Sequence, residues 1–160
     1  MKRLISACIL TLAATNAAAL SCLPTNVAGS YIAAAEAEET FVILHGSFDF
    51  DQAELPLLPP NNRNPRVMRV DAQFTGGVFT GKNFSFETEL DVQIEARCFG
   101  PWCSWMEVGT EVLAFVEKRD DAYFLTLSPC GGWLYARPKQ AQLDQVVSCH
   151  QGDTCEPPAR

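Results

Sequence analysis

Apolar and polar side chains alternate over long stretches of this chain. In the longest stretch, residues 84–97, one parity is apolar and the other is mainly serine, carboxylate and amide. The apolar positions are Phe84, Phe86, Leu90, Val92, Ile94 and Ala96. A period of two predicts a strand with one face on a core and the other in water. Residues 68–74 alternate in the same way until two glycines interrupt them, and they predict a second strand.

Further runs are rich in β-forming residues. Residues 41–50 begin with Phe-Val-Ile-Leu, and Gly46 interrupts them in a way typical of a bulged or strongly bent strand at a barrel corner. Residues 112–116 and 123–127 flank the polar corner 118–121 and predict a hairpin. Together these patterns predict a mainly β fold, a small closed or partly open barrel of about five strands.

Two further segments, one before the strands and one after them, have helical patterns. Residues 25–39 are rich in Ala and Glu and predict a short amphipathic helix. Residues 138–148 predict a C-terminal helix that covers part of the barrel, because Pro138 suits a first helical turn and the apolar residues share one side. Residues 51–66 contain four prolines and predict a long exposed loop, while residues 150–160 predict a polar tail.

The beginning of the chain predicts a signal peptide, residues 1–19. Two basic residues precede a short apolar run, and three alanines end at Ala19, where we expect cleavage. A membrane-spanning helix needs about 20 apolar residues, and no segment reaches that length. Residues 20–160 then form one domain of a secreted or periplasmic protein without a transmembrane segment. A second interpretation makes Cys22 the acylated residue of a lipoprotein.

The charge of the chain narrows the choice of partners. It has 12 basic and 19 acidic residues, a formal net charge of −7, and removal of the two basic residues in the leader gives −9. Such acidity disfavours nucleic acid and anionic membranes as partners. It is typical of a solubilised exported protein and, alternatively, of an acidic binding patch.

Six cysteines remain beyond the leader and predict a disulfide framework in an oxidising compartment. They are Cys22, Cys98, Cys103, Cys130, Cys149 and Cys155. A disulfide from Cys22 to Cys130 would close a loop of about a hundred residues. It would therefore be the disulfide that contributes most to stability. The spacing of Cys98 and Cys103 predicts instead a local disulfide that presents two nearby tryptophans.

Catalytic and metal-binding patterns are weak. We expect His45 to be a half-buried strand residue and His150 to be solvated in the tail, so no metal or cofactor is predicted. The phosphate loop, the dinucleotide fingerprint and the nucleophile elbow are absent from the sequence. Clustered carboxylates leave open a carboxylate-based hydrolase of the cell envelope. They are Asp49, Asp51, Glu87, Glu89, Asp91, Asp120 and Asp121.

Several segments of the predicted barrel carry a family resemblance. They are Cys22-Leu23-Pro24, the Ala-rich segment entering residues 41–50, Cys98 ahead of residues 109–116, residues 123–130, and the helix leading to Cys149. This arrangement resembles the netrin-like superfamily, which includes the tissue inhibitors of metalloproteinases, over most of the mature chain. The resemblance implies an OB-like five-stranded barrel with its N-terminal segment fastened by disulfides. The Gly-Pro-Trp-Cys turn is similar to that of small exported bacterial proteins.

In those inhibitors an N-terminal cysteine chelates the protease zinc through its α-amine and carbonyl. The resemblance places Leu20 there, so its α-amine becomes a potential ligand for a protease zinc while the cysteine anchor is lost. We predict a noncatalytic exported protein that binds a protein or envelope surface ligand through Leu20, Ser21, Cys22, Trp102 and Trp105. Inhibition of an extracytoplasmic metalloprotease is the more specific form, and an OB-type oligosaccharide binder is an alternative.

Overall fold

The computed structural model describes residues 21–55, 57 and 66–156, so the predicted signal peptide and Leu20 lie outside it. The helices are α1 (Val27–Glu36) and α2 (Gln140–Gln151), and a 3-10 turn covers Gln52–Glu54. The strands are β1 (Thr40–Asp49), β2 (Val67–Val78), β3 (Phe86–Phe99), β4 (Trp102–Cys103), β5 (Glu111–Arg119), β6 (Ala122–Leu127) and β7 (Leu134–Ala136). No helix among the described residues is long and apolar enough to cross a membrane.

Five strands close into a barrel in the order β1, β2, β3, β6, β5, and β5 returns to β1. Neighbouring strands run antiparallel except β3 and β6, which run parallel. The strand β1 closes the barrel because it pairs with β5 over residues 40–47 and with β2 over residues 44–49. The short strand β4 extends β3, and β7 pairs with β5. The predicted mainly β, OB-like five-stranded barrel with a helix towards each end is confirmed.

The interior of the barrel is apolar. Its fully buried side chains include Leu44, Phe48, Val70, Phe74, Ile94, Val112, Val116 and Leu125. Of the two alternatives expected at Gly46, a bulge or a strong bend, the bulge is absent, because both registers of β1 continue through Gly46 without an extra residue. Gly46 has a different role: a Cβ atom there would lie 2.2 Å from the carbonyl oxygen of Thr75. The glycine therefore permits the close approach of β1 and β2.

Both helices pack on the outer face of β1 and β5. Their contact forms a second apolar cluster of Val27, Ile43, Leu113, Phe115 and Val146. The helix α1 begins after Asn26, whose side-chain oxygen accepts the N–H of Gly29 at 2.8 Å, and it ends at Glu36, three residues before the predicted end. The helix α2 starts at Gln140, two residues after Pro138, and extends to Gln151 rather than 148.

The strand β3 departs from its sequence pattern at two positions. Phe86 was expected in the core but is 61% exposed. At this position β3 pairs with β2 alone, because its pairing with β6 starts only at Val92. Glu95 was expected on the wet face but is 9% exposed, because Arg69 and Arg119 lie across it at 3.0 and 3.5 Å.

The six cysteines in the described part of the chain form three disulfides. They join Cys22 to Cys130, Cys98 to Cys103 and Cys149 to Cys155. The first two are the pairings expected from the sequence, and the first links residues 108 positions apart. The third folds the chain after α2 back onto that helix.

Candidate functional site

A cleft of about 470 Å³ opens between the hairpin turn after β3 and the segment joining β6 to β7. We call it the tryptophan cleft; its main side chains are Leu57, Trp102, Ser104, Trp105, Ser128 and Trp133. It thus brings together the three tryptophans of the chain. The described residues that line it carry no ionisable side chain, since Cys103 is disulfide-bonded. The cleft offers indole and aliphatic surface together with hydroxyl groups.

One wall of the cleft is the turn that ends β3. Cys98 faces Cys103 and Phe99 faces Trp102 across this hairpin, and the disulfide fastens its base. Gly100 adopts a positive φ of 59°, which a tight two-residue turn requires and which glycine tolerates. The turn leaves Trp102 42% exposed at the edge of the cleft.

Ser104 anchors this turn to the barrel. Its hydroxyl oxygen lies 3.0 Å from the carbonyl oxygens of Arg97 and Leu127, and its backbone N–H donates to Arg97 at 2.9 Å. Ser104 is only 7% exposed, so these bonds satisfy a buried polar group. Ser104 therefore holds the turn against the barrel. The next residue, Trp105, has a side chain that is 38% exposed.

The opposite wall is the segment of residues 128–133. The N–H of Gly131 donates to the Ser128 carbonyl oxygen at 2.8 Å, and the N–H of Cys130 donates to the Ser128 hydroxyl at 3.2 Å. Beyond this turn, the carbonyl oxygen of Trp133 accepts the N–H of Phe115 at 2.8 Å. The segment is therefore held at both ends, by its own turn and by β5.

Residues 21–25, which we call the N-terminal segment, lie on the other side of residues 128–133. The disulfide from Cys22 to Cys130 fixes the segment there, and its side chains are exposed. Leu23 is 84% exposed, the most open large apolar side chain recorded among the described residues. A depression of about 330 Å³ between Pro24 and Trp133 separates the segment from the barrel.

The start of α1 is tied to the same wall. The buried hydroxyl of Ser30 hydrogen-bonds both the carbonyl oxygen of Gly132 and the hydroxyl of Tyr135. Burial raises the pKa of Tyr135, while hydrogen bonds with Ser30 and Thr25 oppose that rise. Tyr135 therefore stays a neutral phenol at ordinary pH and acts as a structural link between α1 and β7.

The fold brings most of the predicted binding residues together. Ser21 and Cys22 lie on one side of residues 128–133, and Trp102 and Trp105 lie on the other. Leu20 falls outside the described residues.

The two histidines occupy different environments. His45 lies on β1, where it is half-buried and its Nε2 is 2.9 Å from Glu111 Oε1. His150 is exposed, as expected, but it does not lie in a tail. Because α2 extends to Gln151, His150 is part of that helix, and its Nδ1 lies 2.9 Å from the hydroxyl of Tyr31.

The candidate carboxylates lie on the surface. All seven named above are exposed. Asp51 caps the 3-10 turn through the N–H of Ala53 at 2.9 Å, and Asp91 lines a shallow depression of about 580 Å³ together with Asp71. Residues 21–55, 57 and 66–156 contain no group of three or more His, Cys, Asp and Glu side chains arranged to hold a metal ion.

Sequence reasoning missed four contributors to this surface: Leu23, Leu57, Ser104 and Trp133. Leu23 is flanked by a cysteine and a proline, and Trp133 follows two glycines, so both occupy places where a chain turns at the surface. Nothing in the local sequence marks Ser104, because one of its two acceptors, Leu127, belongs to a distant strand.

The fold and the cleft define a disulfide-stapled OB-like barrel with an aromatic surface beside its N-terminal segment. Comparisons with protein-family models, with curated proteins and with solved structures found no match for this chain.

Proposed function

We propose that this chain is an exported, noncatalytic domain that binds a protein partner through the tryptophan cleft and the N-terminal segment. The observation that carries the proposal is the clustering of exposed apolar side chains around residues 128–133. Leu23 is 84% exposed on one side, and Trp102 is 42% and Trp105 38% exposed on the other. Tryptophan side chains are frequent energetic centres of protein interfaces.

Rigidity supports the same proposal. Disulfides hold both flanks of this surface, and Ser104 fixes the tryptophan turn by buried hydrogen bonds. A surface that is ordered before binding loses less conformational entropy when a partner docks. Leu23 buries little area in the free chain, and Trp102 and Trp105 each keep more than a third of their surface exposed, so all three have apolar area left for contact with a partner.

Export is part of the proposal. Disulfides persist best in an oxidising compartment. The three disulfides of the described residues therefore support a secreted or periplasmic location. We propose cleavage after Ala19. Intact-mass measurement of the mature protein tests this, because acylation at Cys22 would instead remove Leu20 and Ser21 and add the mass of lipid.

Site-specific photocrosslinking tests the binding surface. A benzoylphenylalanine placed at Leu23 or at Trp102 should crosslink the same protein in the producing cell's envelope. The matched control is Phe86, which is 61% exposed at the opposite end of β3 from the tryptophan turn. Equal crosslinking from all three positions, or from Phe86 alone, would refute the proposed surface.

Protease inhibition is the more specific candidate, and one observation favours it. Leu23 stands exposed in a nonhelical segment that a disulfide fixes at the preceding residue, as a substrate-like inhibitory segment requires. The resemblance to netrin-like inhibitors adds the Leu20 α-amine as a proposed ligand for a protease zinc. Micromolar mature protein should inhibit a zinc protease, and one extra N-terminal residue should abolish inhibition. Undiminished activity across a panel of metalloproteases would remove this candidate.

A further inference from the structure

The strand β1 has an open edge at its beginning. It pairs with β5 over residues 40–47, but its pairing with β2 starts only at Leu44. On the N-terminal side of Leu44, one more hydrogen bond joins β1 to the chain that follows β2. It runs from the N–H of Phe79 to the carbonyl oxygen of Ile43 at 2.9 Å. The first residues of β1 therefore have a strand neighbour on one side only.

The direction of that single bond shows which groups are open. Backbone groups of alternate residues point to opposite sides of a strand. The backbone C=O of Ile43 points towards β2. The N–H and C=O of Phe41, two residues earlier, must therefore point to the same side of β1. The described part of the chain provides no partner there for either group. An N–H donor and a C=O acceptor of one residue thus face outward together.

These groups open into a slot of about 430 Å³, separate from the tryptophan cleft. We call it the edge slot. One wall is α1 with Ala34 and Ala35, and the other is the end of β2 with Val78 and Phe79. The slot shares no lining residue with the tryptophan cleft. Its walls are apolar and its floor is the unpaired edge at Phe41.

His150 and Tyr31 close one end of the slot and hold its walls in place. Tyr31 on α1 hydrogen-bonds His150 on α2, and the His150 ring meets Phe79 edge-on at a centroid distance of 5.3 Å. Gly81 has a φ of +89°, and a Cβ atom there would lie 2.9 Å from His150 Nε2. Burial raises the pKa of Tyr31, so its hydroxyl remains a neutral hydrogen-bonding group.

We propose that the edge slot binds an extended peptide segment of a partner as an added strand on β1. An amide backbone is the ligand that satisfies a neighbouring N–H and C=O at strand spacing. The apolar walls suit a valine or isoleucine side chain, and a site of this size lies in the range of small-ligand pockets. Glu36, Glu38 and Glu39 are exposed just before β1, so they favour a lysine or arginine in the peptide. The slot shares no lining residue with the tryptophan cleft, although the ring of Phe41 stacks on Trp133 at a centroid distance of 4.8 Å.

Hydrogen exchange in the free protein tests the open edge first. The Phe41 amide should exchange at least about tenfold faster than the amides of Val42 and Leu44, which pair with β5. Equal protection of all three amides would overturn the proposal, because it would show that the edge is already occupied.

Binding is then measured with a defined probe, the capped peptide acetyl-Lys-Val-Ile-Val-Lys-amide, by amide chemical shifts of the mature oxidised protein. Saturable shifts should centre on Phe41 and Ile43, and exchange at Phe41 should slow by about tenfold when the peptide is near saturation. The same peptide with its central amide nitrogen methylated should bind at least about tenfold more weakly, because it lacks one ladder donor.

Two tryptophan substitutions on α1 locate the site. Ala35→Trp places an indole in the edge slot and should abolish peptide binding. Ala33→Trp is the matched control, since Ala33 is also exposed on the same helix but lines the depression beside Pro24. Absence of saturable shifts at millimolar peptide, or equal loss of binding in both variants, would overturn the proposal. Circular dichroism of both variants confirms that α1 remains folded.

Discussion

The tryptophan cleft and the edge slot are held by different forces. Covalent bridges fasten both flanks of the cleft, through Cys22 to Cys130 and Cys98 to Cys103. The walls of the slot are joined instead by the Tyr31–His150 hydrogen bond and by ring packing on Phe79. The cleft displays side chains, whereas the slot displays backbone groups.

This difference indicates two kinds of recognition on one barrel. Side chains on a rigid frame select a partner by shape and apolar contact. An open strand edge accepts almost any extended backbone and gains selectivity only from its walls. Changes to the disulfides should therefore affect the cleft strongly, while the slot should follow the integrity of the barrel and of α1.

Removing the long bridge should have the largest effect. In Cys22→Ala/Cys130→Ala the free energy of unfolding should fall by about 5 kcal/mol, because the bridge closes a loop with a sequence separation of 108. Urea unfolding followed by tryptophan fluorescence measures the loss. The control Cys149→Ala/Cys155→Ala removes a disulfide with a sequence separation of only 6. Its free energy of unfolding should fall by about 2 kcal/mol. Equal losses in the two variants would show that loop length does not govern stability here.

Removing the turn disulfide should separate local shape from global stability. Cys98→Ala/Cys103→Ala should lose about 2 kcal/mol, since its loop has a sequence separation of 5. The exposed Trp102 should become more mobile, so acrylamide quenching of the native protein should increase. Peptide binding at the edge slot should stay unchanged. A parallel loss at the slot would contradict the independence of the two surfaces.

Much of the barrel was predictable from side-chain periodicity. The alternating runs located β2 and β3, and the hairpin of β5 and β6 was recognised from its polar corner. Periodicity could not show where β6 stops flanking β3, so Phe86 was assigned to the core although only β2 pairs with the strand there. It also could not show that Arg69 and Arg119 cover Glu95, because those contacts join separate strands.

The candidate surfaces were less predictable. Cysteine spacing and neighbouring aromatics pointed to the tryptophan turn. The edge slot depends on where the pairing of β1 with β2 stops, and the alternation of side chains is the same in the paired and the unpaired part of β1. His150 was placed in a tail, and its contact with Tyr31 was missed, because the predicted end of α2 lay three residues too early, at 148 rather than at Gln151.

Ser104 allows a smaller test of the cleft. Ser104→Ala removes a buried hydroxyl and leaves the carbonyl oxygen of Leu127 without that donor. Stability should fall by about 1.5 kcal/mol, and the tryptophan emission should shift as the turn loosens. The control Ser85→Ala alters an exposed loop hydroxyl and should cost less than about 0.5 kcal/mol. A loss for Ser104→Ala no larger than this control would mean that the hydroxyl does not anchor the turn.

Removing an ion pair on β5 should change the stability least. This contact is electrostatic, unlike the disulfides and the apolar packing. Glu117 accepts two bonds from Arg119 at 2.7 Å, and the hydrogen-bonded guanidinium lowers the pKa of Glu117 below its ordinary value of 4.5. Its stabilisation is therefore fully present above the unfolded pKa and is lost as pH falls through the folded pKa. Glu117→Gln should cost less than about 1 kcal/mol at neutral pH, because Arg119 is 38% exposed and water screens the pair.

The pH dependence identifies the origin of that small cost. Urea unfolding at neutral pH and in acid should show the difference between wild type and Glu117→Gln shrinking as pH falls below 4.5. The control Glu87→Gln, at an exposed carboxylate, should show almost no difference at neutral pH. If the cost of Glu117→Gln stayed constant into acid, it would come from packing of the side chain rather than from its charge. The two surfaces should be unchanged in this variant, because Glu117 lines neither the tryptophan cleft nor the edge slot.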